Sequence, residues 1–326
     1  MIVNIAFSSD NNYAPFLCTA VFSLLKNSNK KNQYYIYILD GGISIENKNK
    51  ILNSLKQFKN KKINFITVDQ KIFKNVKQIL QLNQSSYYRL LLPKILPKVK
   101  KIIYLDCDMI IMDDISKLYL EKINKKLIGC CPVFHPNYQL VLQKIHPKTK
   151  IIKAINAGMT LMNLDLLRKG NYSKIFIDFV NNNSAKLIAG DQDVLNLILA
   201  NQIKIIHPKW NSTSYLFVTN NHKKCGLDKK IFDICTKNPS IVHFDGIKPW
   251  TNGSSHPYKK YFYKYLYQTE FKNYKVKFDI KKFIKNKIFY NGNRIANLLP
   301  PPIYNFIEKQ YLKNNFLEKK FREISK

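Results

Sequence analysis

Residues 101–114, KIIYLDCDMIIMDD, place two carboxylates, Asp106 and Asp108, between the apolar, β-favouring runs 102–105 and 109–112. A carboxylate in such surroundings needs a cation, a proton or a dense set of hydrogen bonds, because a bare one costs several kcal/mol. On an extended chain the side chains two residues apart share one side, so Asp106 and Asp108 can share one divalent ion. The plainer reading is a strand-to-loop transition with incidental acids, of the kind the next pair, Asp113 and Asp114, represents.

Other residues of chemical interest are scattered along the chain. Arg89 sits in SSYYRLLL and suits bidentate contact with a carboxylate or an oxygen-rich ligand, or else forms an ordinary helix-surface salt bridge. Asn156-Ala157-Gly158 interrupts an apolar strand, where a glycine allows close backbone approach and Asn156 would be the hydrogen-bonding group beside it. Asp191 and Gln192 open a helix, a place where an isolated Asp usually satisfies free backbone amides. His243 directly follows apolar strand residues, with Gly246 and Lys248 after it. A lone histidine there is more often structural, and it matters only if it meets Asp106 and Asp108.

The elements that must position these groups read as α/β. Residues 2–7 form a first strand, Ser8 to Tyr13 a polar turn, and 15–25 a helix; 34–39, 44–60 and 63–68 follow as strand, helix and strand. That alternation predicts a doubly wound, mainly parallel sheet, whose first turn is a nucleotide-edge position. Asp10 there is equally suited to cap the helix. Residues 69–84 lack pattern and read as an excursion. A helix over 85–92 ends at Pro93, and further strands follow at 127–131, 155–163, 203–206 and from 241, with helices at 165–169, 176–181 and from 190.

The chain of 326 residues carries a net charge of +33, with 54 Lys and Arg against 21 Asp and Glu. Nucleic acid is the first partner such a balance proposes. Only Arg89, Arg168, Arg294 and Arg322 are arginines, however, and Lys, Asn and Ile are abundant throughout, so part of the charge is compositional bias. The six cysteines show no metal-ligand or disulfide-framework spacing, which fits a reducing cytoplasm. Residues 1–10 lack the basic lead-in of a secretory signature and no apolar run reaches about 20 residues, so a soluble or peripheral protein is expected. Beyond residue 254, lysines interleave with Tyr and Phe, broken by Pro300-Pro301-Pro302. Short amphipathic helices on an anionic bilayer suit that texture, as do single-stranded nucleic acid and a helical appendage packed on the main domain.

Taken together and in order, FSSDNNY, SSYYRL, IIYLDCDMII, NAGMTLMNL, GDQDVLN and HFDGIKPW resemble the retaining glycosyltransferases of family 8, nearest to the bacterial lipopolysaccharide galactosyl- and glucosyltransferases. The resemblance implies a single Rossmann-like domain of GT-A type with a mixed, mainly parallel sheet over residues 1–255. A helical basic, aromatic C-terminal extension over 256–326 completes the chain. It implies manganese, with magnesium as the alternative, held by Asp106, Asp108 and His243. It places Ser8, Asp10, Asn12, Tyr13, Arg89, Cys107, Asn156, Ala157, Gly246 and Lys248 around a UDP-hexose donor, and Asp191 and Gln192 at the catalytic centre. The acceptor implied is a saccharide on a lipid-linked core, met by a cytoplasmic protein bound peripherally to the anionic inner leaflet, with no nucleic acid expected.

The chemistry agrees with those residue types. Departure of a nucleoside diphosphate needs a hard cation for the charge growing on phosphate, and a carboxylate such as Asp191 stabilises an oxocarbenium-like sugar. Gln192 is a poor nucleophile, so the expected route is front-face attack, with the phosphate oxygen accepting the acceptor's proton. Two departures stand out. Val133 replaces an acid that faces the acceptor in some close members, and the segment from His243 to Lys248 is one residue shorter than in some relatives. The rival classes are a basic nucleic-acid-binding protein and a haloacid-dehalogenase-like phosphohydrolase using Asp106 as nucleophile.

Overall fold

The computed structural model describes residues 1–73, 84–123, 125–246, 248–276, 278–281, 283–284 and 286. Most of the excursion expected over 69–84, and the basic, aromatic tail beyond residue 286, lie outside the described residues.

The parallel half of the fold is built from β1 (Ile2–Ser9), β2 (Gln33–Asp40), β3 (Lys61–Thr67) and β4 (Lys101–Leu105). β1 is buried almost end to end, as a strand covered on both faces must be. Next come β5 (Met109–Ile111), β6 (Ile128–Pro132), β7 (Ile155–Asn163), β8 (Ile203–Ile205), β9 (Ser212–Thr213) and β10 (Ile241–His243). A seven-stranded sheet has the order β3-β2-β1-β4-β7-β6-β8, and a three-stranded one the order β5-β10-β9. In the large sheet β7 runs against its neighbours β4 and β6, while β1, β2, β3 and β4 are mutually parallel. The mixed, mainly parallel α/β sheet expected from the sequence is the one observed. The chain leaves β1 toward β2 on one side and has β4 on the other. This is the switch point outside whose strand ends ligands collect.

Helix α1 (Ala14–Asn27) is buried around nearly its whole circumference. Its two buried hydroxyls are satisfied along the helix, Thr19 Oγ1 donating to the Pro15 carbonyl at 2.8 Å and Ser23 Oγ to that of Ala20 at 2.7 Å. Ser23 Oγ also accepts from Ile111 N at 2.9 Å, so the helix fixes the end of β5 and, through it, the strand leading out of the acid pair. On the same face Phe262, Tyr265, Leu266 and Phe271 join the core of β1 and α1, and Asn27 Nδ2 donates to Tyr265 Oη at 2.8 Å. Residues 259–271 of the expected extension therefore share the apolar core of the sheet. The opposite face is covered by the helices Leu164–Lys169, Tyr172–Asn183 and Asp191–Ile198, giving three layers.

Several boundaries differ from the expectation. Helix α2 (Ile45–Leu55) is shorter than 44–60, and Ser44 caps it by accepting from Asn47 N. The segment expected to be an α-helix ending at Pro93 is a 3-10 helix, Gln84–Leu91, running into a short α-helix, Leu92–Ile95. Pro93 lies in the first turn of that helix, where a missing N–H removes no intrahelical bond, so it starts the turn and does not stop it. The apolar run after Asp108 is a strand of the small sheet, not a continuation of β4.

Candidate metal centre and its surroundings

The acid pair lies where the two sheets meet. β4 ends at Leu105, yet Asp106 N still donates to the Gly158 carbonyl of β7 at 2.9 Å. Asp108 O accepts from Phe244 N at 2.9 Å, and Met109 stands opposite His243 in the antiparallel pair β5–β10. Asp106-Cys107-Asp108 thus bridges the large sheet to the small one, and strand register carries His243 to the carboxylates. Its Nε2 lies 3.3 Å from Asp108 Oδ1 and 3.8 Å from Asp106 Oδ2. One ligand atom from each of Asp106, Asp108 and His243 falls within 4.8 Å of the others, a group able to hold a metal ion.

Glycine at 158 is a condition of that convergence. A Cβ there would stand 2.3 Å from His243 Cε1 and 2.9 Å from Asp106 Oδ2. No side chain fits between the imidazole and the carboxylate.

Charge within the centre is balanced by neighbours. Lys248 Nζ pairs with Asp108 Oδ2 and donates to the Phe244 carbonyl at 2.7 Å. Burial would push the Asp108 carboxyl up, but Lys248 and His243 outweigh it and hold it well below the usual carboxylate range. Burial would likewise lower His243 and Lys248, and Asp108 reverses both, leaving each above its ordinary value. Arg89 is buried and joins Asp106 to a second acid. Its Nη2 donates to Asp106 Oδ1 at 2.6 Å and its Nη1 to the Ala157 carbonyl at 2.5 Å. Arg89 Nε lies 2.7 Å from Asp191 Oδ2, but its N–H points at the Ser86 carbonyl 3.1 Å away, so the contact with Asp191 is charge attraction without a well-aligned hydrogen bond. The guanidinium carbon lies over the fully buried Tyr104 ring, 4.0 Å from its centroid. Burial raises the Asp191 carboxyl to about 7, with Arg89 opposing and Asp106 and Asp193 adding.

The other expected site residues distribute around this centre. Ser8 is the penultimate residue of β1 and Asp10 directly follows that strand at the switch point, Tyr13 N donating to Asp10 Oδ1 at 2.9 Å. Tyr13 is partly exposed and stands edge-on to Phe16 and Trp250; burial raises its phenol, and Lys248 and Asp108 are among the charges it feels. Cys107 is buried with its thiol turned to the Ser8 carbonyl at 3.0 Å, so it ties the acid pair to β1. Gln192 Oε1 accepts from Ala157 N at 3.1 Å, and Asn156 Oδ1 from Gly158 N at 3.0 Å. Gly246 is exposed beside Ser214, whose Oγ accepts from its N–H at 3.2 Å. Asn12 is exposed in the turn, and the neighbouring Asn11 does the linking there, accepting from Ser44 N at 2.9 Å and Asn47 Nδ2 at 2.8 Å.

Four residues around the centre carry no signal in the sequence. Asn211 is fully buried and touches both His243 and Asn156. Tyr104 reads as an ordinary strand residue. His135, which feels the charge of Asp245 two residues beyond His243, has its ring centroid 5.7 Å from that of Tyr215, and its Nδ1 has no hydrogen-bond partner among the described residues.

Comparison with known proteins agrees with this geometry. The model of glycosyl transferase family 8 matches residues 4–253. The chain is 30% identical over 274 residues to general stress protein A of Bacillus subtilis, covering 82% of this chain and 94% of that one. It is 32% identical over 260 residues to a putative glycosyltransferase of Haemophilus influenzae, covering 78% and 74%. Galactosyltransferase LgtC, solved with donor and acceptor sugar analogs, superposes with a TM-score of 0.73 at 22% identity over 82% of this chain and 96% of LgtC, a likeness of fold. With a family model spanning most of its length and its acid pair closing on a distant histidine, this chain belongs to glycosyltransferase family 8.

Proposed function

We propose that the protein transfers a hexose, glucose or galactose, from a UDP-sugar with retention of anomeric configuration. The acceptor is the saccharide of a lipid-linked lipopolysaccharide or lipooligosaccharide core at the cytoplasmic face of the inner membrane. The observation that carries the transfer chemistry is the closure of Asp106, Asp108 and His243 on one another, with Arg89 leading from that group to Asp191.

Two carboxylate oxygens and one imidazole nitrogen suit Mn²⁺, with Mg²⁺ as the alternative, and a cation bound there supplies neutralisation of the departing diphosphate. The rest is done by the chain itself. Lys248 adds a second positive charge on the diphosphate side, and Asp10 and Tyr13 at the switch point face the nucleoside. Arg89 orients Asp106 and the Ala157 carbonyl and holds Asp191 beside the sugar, where its carboxylate opposes the positive charge growing at the anomeric carbon. Gln192 Oε1 is already engaged by Ala157 N, so it neither leaves nor attacks readily. Front-face attack follows, the leaving phosphate oxygen taking the acceptor hydroxyl's proton as the new C–O bond forms and the old one breaks. The rim of His135, Tyr215 and Asp245 is where the acceptor sugar approaches, a stacking ring beside one unpaired ring nitrogen.

Membrane contact is supported by Val276, Phe278, Ile280 and Ile284, which stand exposed among Lys272, Lys275 and Lys281. Among the described residues no helix is long and apolar enough to cross a membrane. Slow hydrolysis of a panel of UDP-sugars tests the reading. One UDP-hexose should be turned over with Mn²⁺ and protected by a chelator. Indifference to every nucleotide sugar would overturn the assignment, and an inverted product would overturn retention.

A further inference from the structure

Among the buried polar groups outside the expected site is Asn211, which ends the 3-10 turn Pro208–Asn211 immediately before β9. Its relative exposure is 0%, so both ends of its amide must be satisfied by protein. Asn211 Nδ2 donates to Asn156 Oδ1 at 2.8 Å, and Asn211 Oδ1 lies 2.9 Å from His243 Nδ1.

The direction of each bond follows from one group that cannot be turned round. The backbone N–H of Gly158 donates to Asn156 Oδ1 at 3.0 Å, which fixes that atom as the oxygen. An oxygen there requires the nitrogen of Asn211 to face it, since two amide oxygens 2.8 Å apart would repel. Asn211 therefore presents its oxygen to His243, and His243 Nδ1 must carry the proton. The remaining ring nitrogen, Nε2, is the one aimed at Asp108 and Asp106. Only the Nδ1–H tautomer leaves a lone pair on that side for a cation.

We infer that Asn211 is a positioning residue that sets the tautomer of the cation-binding His243 and, through Asn156, ties it to the Asn156-Ala157-Gly158 segment that borders the donor sugar. The inference rests on the transferase reading above and deepens it. One amide side chain makes cation binding and sugar-strand placement parts of a single hydrogen-bonded unit. The two ends of that amide are also chemically separable. A carboxylate at position 211 still accepts from His243 Nδ1, but it has nothing to donate to Asn156 Oδ1. A methyl does neither.

The test compares wild type, Asn211→Asp and Asn211→Ala by Mn²⁺ binding without nucleotide, followed by electron paramagnetic resonance, and by kcat and KM for UDP-hexose hydrolysis. Asn211→Ala should bind Mn²⁺ about 10- to 100-fold more weakly. Asn211→Asp should restore most of that affinity while its KM for the donor stays raised several-fold. Unchanged Mn²⁺ affinity in a folded Asn211→Ala protein overturns the role, and so does an Asp variant as weak as the Ala variant. A wild-type KM in Asn211→Asp overturns the link to Asn156. If Asn211→Ala does not fold, the Asp variant decides alone, since Mn²⁺ affinity close to wild type with a raised KM is the only pattern the inference allows. A wild-type protein that binds no Mn²⁺ or hydrolyses no UDP-hexose sinks the transferase reading itself, and that result is distinct from any difference among variants.

Discussion

His243 and His256 are each 3% exposed, yet they sit in opposite electrostatic worlds. At both, burial is the largest influence and favours the neutral ring. Around His243 the carboxylates of Asp108, Asp245 and Asp106 overturn it and raise the imidazole above its ordinary value. His256 stands edge-on between Phe217 and Phe244, ring centroids 4.8 and 4.7 Å away, takes one hydrogen bond from Tyr258 N at 3.2 Å, and is pushed down to about 3. Equal burial with opposite consequences shows that the partner set, not burial, decides the charge of the ring. One imidazole belongs to a group able to hold a metal ion; the other is a polar ring used as packing.

The sharpest way to break the contrast is to remove the carboxylate nearest His243. Asp108→Asn should leave Lys248 and His243 without their charge partner, abolish Mn²⁺ binding, and cut UDP-hexose turnover by more than about 100-fold. Retention of metal-dependent turnover in the Asn variant would show that the cation lies elsewhere. Gly158→Ala attacks the same centre without altering a charge. Its methyl would lie 2.3 Å from His243 Cε1, and with strand backbone on one side and a fully packed ring on the other, little can yield. The cost should be about 1–3 kcal/mol of stability together with weakened Mn²⁺ binding. Thermal melting and metal titration check both.

Much of this centre was visible in the sequence because acids and an arginine stood in apolar contexts that physics does not leave uncompensated. Asp113 and Asp114 show why the context matters. Asp114 accepts from Ser116 N at 3.0 Å and Asp113 pairs with Lys117 at 2.6 Å, ordinary turn work outside the buried strand. What could not be read was register. That His243 reaches Asp108 depends on β5 pairing with β10 in a second sheet, information spread over a long chain separation. Asn211 was invisible for a different reason, since one asparagine among many carries no mark of burial. Pro93 misled because a proline that ends a helix and one that begins the next turn look alike in sequence. The helix Lys259–Leu266 mixes tyrosines and lysines in a texture that suited a bilayer surface, single-stranded nucleic acid and an appendage packed on the main domain alike, and packing on the domain is what it does. Its apolar stripe is Phe262, Tyr265 and Leu266, and that stripe closes the core over α1.

His256 supplies the pH test of the comparison. A base whose folded pKa is depressed to about 3 from the ordinary 6.5 binds protons more readily when unfolded. Its contribution to stability is whole above pH 6.5 and is lost progressively as the pH falls toward 3, at about 1.4 kcal/mol per pH unit at most. His256→Phe, which keeps a ring between Phe217 and Phe244, should flatten that acid limb between pH 6.5 and 4 while leaving Mn²⁺-dependent turnover at neutral pH unchanged. Equally steep acid sensitivity in the Phe variant would mean that other groups control it.

The smallest effect is expected where the aromatic region meets solvent. Tyr274 packs against Phe16 at 5.3 Å, whereas Phe278, a few residues on, is 64% exposed and Ile280 is 55% exposed. Replacing a side chain that is already in water removes little buried area, so Phe278→Ser with Ile280→Ser should change melting stability by less than about 0.5 kcal/mol. UDP-hexose hydrolysis in solution should be unaffected. The same pair would matter if a lipid surface covers it. Each apolar side chain withdrawn from an interface weakens association in proportion to its area, and Lys272, Lys275 and Lys281 alone would leave an attraction that salt screens within about 10 Å. Sedimentation with anionic vesicles should therefore show binding reduced several-fold in the double variant and made more salt-sensitive. Vesicle binding identical to wild type would place the membrane contact outside these residues, leaving the aromatic region as packing alone.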